Sequence, residues 1–142
     1  MLLHATCVAL HDKGILIAGP AGSGKSDLGL RLIDEGAELV SDDQTELRIE
    51  DGRLLASPPA SIAGLFEARH VGLLRLPCRA PVTPALYVDL APLDAKLERL
   101  PDGDRIFLLD YAVPRLRLPA FAASTPAKIR AFLNYPLVTD RT

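Results

Sequence analysis

The chain has no excess of basic charge. Its 142 residues carry 16 Lys and Arg against 18 Asp and Glu, a formal net charge of −2. No basic stripe runs along any predicted element, which argues against a nucleic-acid partner. Cysteine is scarce. Cys7 and Cys78 fit no metal or redox spacing and read as plain thiols of a reducing compartment. The N-terminus lacks a basic stretch followed by a long apolar one, so no signal peptide is expected. No apolar run is long enough to cross a bilayer. These absences predict a soluble, cytoplasmic protein with no membrane contact. Long helices are also rare, and the 12 prolines concentrate after Ser57. That distribution predicts short strands and turns in the second half. What is abundant is apolar: 49% of the residues are hydrophobic, enough for a sizeable core in one domain spanning 1–142.

The most informative run is Gly19-Pro20-Ala21-Gly22-Ser23-Gly24-Lys25-Ser26, which fits G-x-x-x-x-G-K-[ST] at every fixed position. Its flanks fit as well. The strand-like Ile15-Leu16-Ile17-Ala18 precedes it, and the helix-like stretch from Asp27 to Glu35 follows. Strand, glycine loop and helix together form a phosphate cradle. Glycines let backbone N–H groups turn inward unobstructed, and the helix dipole adds positive potential there. Lys25 would reach the β- and γ-phosphates, and the Ser26 hydroxyl would ligate Mg²⁺.

Elsewhere the pattern predicts strands over Leu3–Leu10 and Gly14–Ala18, joined as a hairpin by a turn at His11–Gly14. A helix runs from Lys25 to about Glu35, with Leu28, Leu32 and Ile33 on one face, and stops at Gly36. Glu38–Ser41 reads as a strand. Gln44–Glu50 and Arg53–Ser57 flank Asp51-Gly52, a strong hairpin signal. Ala60–Phe66 is expected as a short helix, then strands at Val71–Leu76, Leu86–Leu90 and Arg105–Leu109. A last helix is expected near Thr125-Pro126, with Thr125 as its cap and Pro126 in its first turn.

A phosphate loop needs a carboxylate partner for its metal, usually at the end of an apolar strand. Three places qualify: Asp42-Asp43 after Leu39-Val40-Ser41, Asp89 after Leu86-Tyr87-Val88, and Asp110 after Ile106-Phe107-Leu108-Leu109. By pattern alone the last looks most like a Walker B strand. Asp42-Asp43 offers two acids pointing to different sides of an extended chain, one for the metal and one for a hydroxyl proton.

From about His4 to Pro119 the chain resembles the catalytic domain of bacterial HPr kinase/phosphorylase. The resemblance starts with His4 before a strand. It continues through Gly14 to Asp27 and through Leu39-Val40-Ser41-Asp42-Asp43. Glu67-Ala68-Arg69-His70-Val71-Gly72-Leu73-Leu74 is similar to the family signature Glu-Ile-Arg-Gly-Leu-Gly-Ile-Ile, and Leu109 to Leu116 is a further matching stretch. The resemblance implies a P-loop α/β fold of the phosphoenolpyruvate-carboxykinase-like type, with a mixed, largely antiparallel sheet and few helices. It implies ATP and Mg²⁺ as cofactors. It implies phosphorylation of a serine on the phosphocarrier HPr or its nitrogen-type paralogue, with phosphorolysis of phosphoserine as the reverse activity.

The roles follow residue by residue. Gly19, Pro20, Ala21, Gly22, Ser23, Gly24, Lys25, Ser26 and Asp27 would hold the nucleotide. Ser26 and Glu67 would sit near Mg²⁺. One of Asp42 and Asp43 would be the general base and the other would lie near the metal, with Asp43 counted among the metal ligands. His4, Arg69 and Lys25 would complete the catalytic set, Arg69 offsetting charge on the moving phosphoryl group. Hexamers occur in the family, so a homo-oligomer is implied.

The departures are specific. The chain starts almost at the catalytic domain, like the short proteobacterial form, without the amino-terminal domain of longer relatives. His70 replaces a signature glycine. Ala122-Ala123-Ser124-Thr125-Pro126-Ala127-Lys128 stands where the family has a Pro-Gly-Arg-Asn-like segment that helps dephosphorylation and hexamer contacts, so kinase activity is expected to survive better than phosphorylase activity. Two other readings stay open: a carboxykinase-related phosphotransferase acting on a small molecule, and a non-catalytic ATP sensor reporting to a partner such as a two-component regulator.

Overall fold

The apolar run ahead of the glycine loop becomes the middle of a six-stranded sheet. The protein is seen here as a computed structural model that describes residues 1–92 and 94–138. Residues 139–142 therefore lie outside the described residues. In chain order the elements are β1 (Leu2–Leu3), β2 (Ala5–Leu10), β3 (Lys13–Ala18), α1 (Lys25–Asp34), β4 (Glu38–Ser41), β5 (Thr45–Glu50), β6 (Arg53–Ser57), β7 (Leu65–Ala68), β8 (Gly72–Arg75), β9 (Thr83–Ala91), β10 (Asp104–Leu108), β11 (Tyr111–Pro119) and α2 (Thr125–Asn134). The main sheet has the order β10-β11-β9-β3-β2-β4. The pairings of β9 with β3 and β11 are parallel, and the others are antiparallel. A mixed, largely antiparallel sheet with two helices is the architecture the resemblance implied.

The sheet is covered on both faces, and the strand sequences show why. Val8, Ile15, Ile17, Leu86, Val88 and Leu90 pack with Leu28 and Leu32 of α1 and Ile129 of α2. The alternate residues Cys7, Ala9 and Leu16 pack under Leu47, Leu54 and Ala56 of the β5–β6 ribbon. A strand buried on both sides reads as a continuous apolar run rather than an alternating one. Truncating Ile17, which is fully buried, to Ala would cost about 2–5 kcal/mol. Burial pushes the Cys7 thiol up to about 12, so it stays protonated at neutral pH and acts as a small apolar filler.

Local signals set the turns. Asp51 and Gly52 both have positive φ, 53° and 76°, the geometry of a two-residue hairpin turn that suits the strand twist. At the end of α1 the Gly36 N–H donates to the Ile33 carbonyl and the Ala37 N–H to the Leu32 carbonyl, both at 3.0 Å. Gly36 itself has φ 113°. This closes the helix in the Schellman manner.

Two expectations are corrected, and one strand is added. Ala60–Phe66 forms only a 3₁₀ turn over Ala60–Ile62, and Leu65 and Phe66 belong to β7. Gly64, at φ 76°, breaks the helix and lets Phe66 bury against Leu39 and Ala68. β11 is a nine-residue strand that the sequence reading did not assign, because Pro114 interrupts its pattern. It still lies between β10 and β9. Thr125 is the first helical residue of α2, not its cap. Ser124 is the N-cap, while the Thr125 hydroxyl donates to the Pro119 carbonyl at 2.6 Å.

Candidate active site at the phosphate loop

The glycine loop leaves the C-terminal end of β3, turns, and enters α1. Its turn closes with the Ser23 N–H donating to the Pro20 carbonyl at 3.0 Å. Gly22 and Gly24 adopt φ 78° and 102°, a region L-residues enter at a cost of about 1–2 kcal/mol. The first helical hydrogen bond runs from the Leu28 N–H to the Gly24 carbonyl. The amides of Lys25, Ser26 and Asp27 therefore precede the helical ladder, and they carry the positive end of the dipole.

Two further features fit an anion. The Ser23 hydroxyl is buried with no hydrogen-bond partner among the described residues, and a buried polar group without a partner is costly. The Lys25 side chain is buried and donates to the carbonyls of Gly19 (3.0 Å) and Pro20 (3.2 Å). It is thus curled over the loop as an ammonium with no carboxylate partner among these contacts. The donor set suits phosphate oxygens.

The acids arrive from β4. Asp42, only 9% exposed, accepts the Ser26 hydroxyl at 2.7 Å and the Thr6 hydroxyl at 3.1 Å, both on Oδ1. Its Oδ2 accepts the Glu67 backbone N–H at 3.3 Å. The acid in contact with Ser26 is thus Asp42, one of the two acids between which the sequence leaves the base and metal roles open. Asp43 is exposed, with φ 65°. Its backbone N–H donates to the Thr6 hydroxyl at 3.2 Å, and its carboxylate accepts no hydrogen bond among the described residues. Thr6, fully buried beneath Gly29 of α1, ties both acids to the sheet. The sequence reading missed Thr6, since nothing local marks a strand threonine whose partners lie 36 and 37 residues away.

The remaining predicted residues take these places. His4 is exposed between β1 and β2, and the Ala5↔Ala18 pairing sets it level with Gly19. Glu67 is exposed on β7, and Arg69 stands in the turn to β8. A wide hollow of about 580 Å³ lies along this hairpin, with Glu67, Arg69 and His70 among its lining residues. His70 has φ 71°, and the turn closes with the Val71 N–H on the Ala68 carbonyl. The turn keeps the backbone that a glycine would favour there, and a histidine occupies it.

Of the rival acids, Asp89 lies two residues before the end of β9, beside Ala18, and is half-buried. The Walker B reading of Ile106–Asp110 does not hold. β10 is the far edge of the sheet, and Asp110 sits in the β10–β11 turn at φ 63°. An apolar run ending in an acid records nothing about strand order.

A Walker A loop between the central strand of a mixed sheet and a covering helix, with an acid on its serine, defines the class as a phosphate-loop α/β domain. The family model for the HPr Serine kinase C-terminal domain matches residues 1–79, and the chain belongs to that family. The HPr kinase/phosphorylase of Clostridium tetani is 39% identical over 129 residues, covering 89% of this chain and 42% of the relative. That of Geobacillus thermodenitrificans is 34% identical over 128 residues, covering 82% and 41%. The chain therefore spans about two-fifths of these curated relatives. The solved structure of the Hpr(Ser) kinase/phosphatase from Coxiella burnetii superposes with a TM-score of 0.82 at 26% identity, covering 94% of this chain and 88% of that one.

Proposed function

We propose that this domain transfers the terminal phosphoryl group of ATP, with Mg²⁺, to a serine of the phosphocarrier HPr or its nitrogen-type paralogue. The hydrogen bond of 2.7 Å between Ser26 and Asp42 carries the reading, because it joins the phosphate loop to an acid pair. Mg²⁺ is commonly held by one or two protein oxygens plus phosphates rather than by a protein cage. Ser26 and Asp42 supply those oxygens, with Glu67 alongside. Bound there, the metal would neutralise charge on the phosphates.

The chain's own groups divide the rest. The amides of residues 25–27, the Ser23 hydroxyl and the Lys25 ammonium bind the phosphate oxygens. Lys25 must uncurl from the Gly19 and Pro20 carbonyls to do so. Asp42, with both oxygens engaged, is suited to hold rather than to move a proton. Asp43, exposed with a free carboxylate, takes the proton from the serine hydroxyl and can return it in the reverse direction. Arg69 and His4 would meet the transferred group, Arg69 offsetting its charge.

The test is mass spectrometry for phosphoserine after incubating the protein, ATP and Mg²⁺ with each phosphocarrier. Asp43→Asn should slow transfer by about 10²–10⁴-fold while ATP affinity holds. Asp42→Asn should instead raise the Mg²⁺ requirement. Wild-type protein that binds ATP yet phosphorylates neither carrier, or an Asp43→Asn variant as fast as wild type, would overturn the proposal.

A further inference from the structure

Phe121 lies against the phosphate loop, and its loop is unusually well tied down. A Cβ built on Gly24 would stand 2.7 Å from Phe121 Cζ and 2.9 Å from Ala120 Cβ. Phe121 is nonetheless 53% exposed. Arg31 of α1 donates to the Ala120 carbonyl and, at 3.3 Å, to the Ala122 carbonyl, while its Nε pairs with Asp27 at 3.1 Å. On the other side the Thr125 N–H donates to the Ala122 carbonyl at 3.2 Å, and its hydroxyl to the Pro119 carbonyl. Four hydrogen bonds thus hold a short loop whose one large side chain is half in water.

Gly24, Asp27 and Arg31 follow one another along the same side of α1, with Phe121 at the Gly24 end. A nucleotide with its phosphates on the amides of residues 25–27 must send its sugar and base outward from that end. We propose that Phe121 is the stacking platform for the nucleobase and that Arg31 is the positioning residue that fixes it. The inference rests on the nucleotide reading above and adds to it the place of the base. An aromatic ring fixed before binding loses little freedom when a base stacks on it, and base–aromatic stacking tolerates any base because each has a π-face. The subsite would therefore favour nucleotides over bare polyphosphate without choosing sharply among bases.

The experiment titrates ATP and inorganic tripolyphosphate separately into the wild type, Phe121→Ala, Phe121→Trp and Arg31→Ala, with folding checked by circular dichroism. Phe121→Ala should weaken ATP about tenfold and tripolyphosphate less than twofold, and Arg31→Ala should shift the same ratio in the same direction. Since the sequence has no tryptophan, Phe121→Trp supplies a single reporter. Its emission should change with ATP and not with tripolyphosphate. Equal loss of both ligands, or no loss of either, would make Phe121 a packing residue and overturn the assignment. So would a Trp signal that responds to tripolyphosphate alone. Wild-type protein that binds neither ligand would overturn the nucleotide reading and this one with it. One that binds both equally would overturn only this one.

Discussion

α1 and α2 are both ten residues long, yet only α1 leaves its first amides to an outside partner. α1 starts from Gly24 at φ 102° with no side-chain cap, and the amides of residues 25–27 precede the first helical bond. α2 starts from Ser124, also without a side-chain cap bond, but it leaves a single amide ahead of its ladder. The Thr125 N–H is taken by the Ala122 carbonyl, and Pro126 has no N–H to give. Only the Ala127 amide is left ahead of the Lys128 bond to the Ser124 carbonyl. The two helices have similar dipoles by length, so the dipole does not separate them. The difference lies in which residues stand at the junction, glycines with positive φ in one case and Ser-Thr-Pro in the other.

The comparison breaks most visibly at Gly24. A methyl there meets both the left-handed backbone and the Phe121 ring. Gly24→Ala should cost about 2 kcal/mol of stability and weaken tripolyphosphate at least tenfold, which corresponds to about 1.4 kcal/mol of binding. Thermal melts and calorimetric titration read the two effects. Unchanged tripolyphosphate affinity would mean that the loop shape is not what makes α1 an anion site. At α2 the matching change is Thr125→Val, which keeps the shape and removes the hydroxyl that holds Pro119. It should cost about 1 kcal/mol with no change in tripolyphosphate affinity. A parallel loss of affinity would place α2 inside the binding site and erase the contrast.

How far this contrast could be seen in advance depends on distance along the chain. The strand, glycine loop and helix are contiguous, and each residue type there states its own backbone need, so the unit was legible. The Asp51-Gly52 hairpin was legible for the same reason. Links across the fold were not. Thr6 meets Asp42 and Asp43, and Phe121 meets Gly24 from nearly a hundred residues away. No local spacing encodes either contact. Asp110 misled because an apolar strand ending in an acid looks the same at the edge of a sheet as at its centre. β11 was hidden by Pro114, whose missing N–H argues against a central strand. Family resemblance brought Asp42, Asp43 and Glu67 together. Geometry then separated the two aspartates, one enclosed by three hydrogen bonds and the other open.

Gly36 sharpens the contrast from the far end of α1. Its φ of 113° is close to that of Gly24, but nothing lies within 4 Å of where its Cβ would be. Gly36→Ala therefore imposes the same kind of backbone penalty without any collision. The expected loss is about 1 kcal/mol, seen as a lower melting temperature, with tripolyphosphate and ATP affinities unchanged. Alanine also retains the N–H that donates to the Ile33 carbonyl, so the helix end stays closed. Subtracting this loss from that of Gly24→Ala leaves the part due to Phe121 and Ala120. If Gly36→Ala weakened phosphate binding as well, the affinity lost at Gly24 would reflect a softened helix rather than a blocked loop. The double variant Gly24→Ala with Phe121→Ala supplies the cross-check. It should recover part of the stability but not the preference for ATP over tripolyphosphate, because the collision with the ring and the stacking surface are removed together while Ala120 Cβ stays in the way.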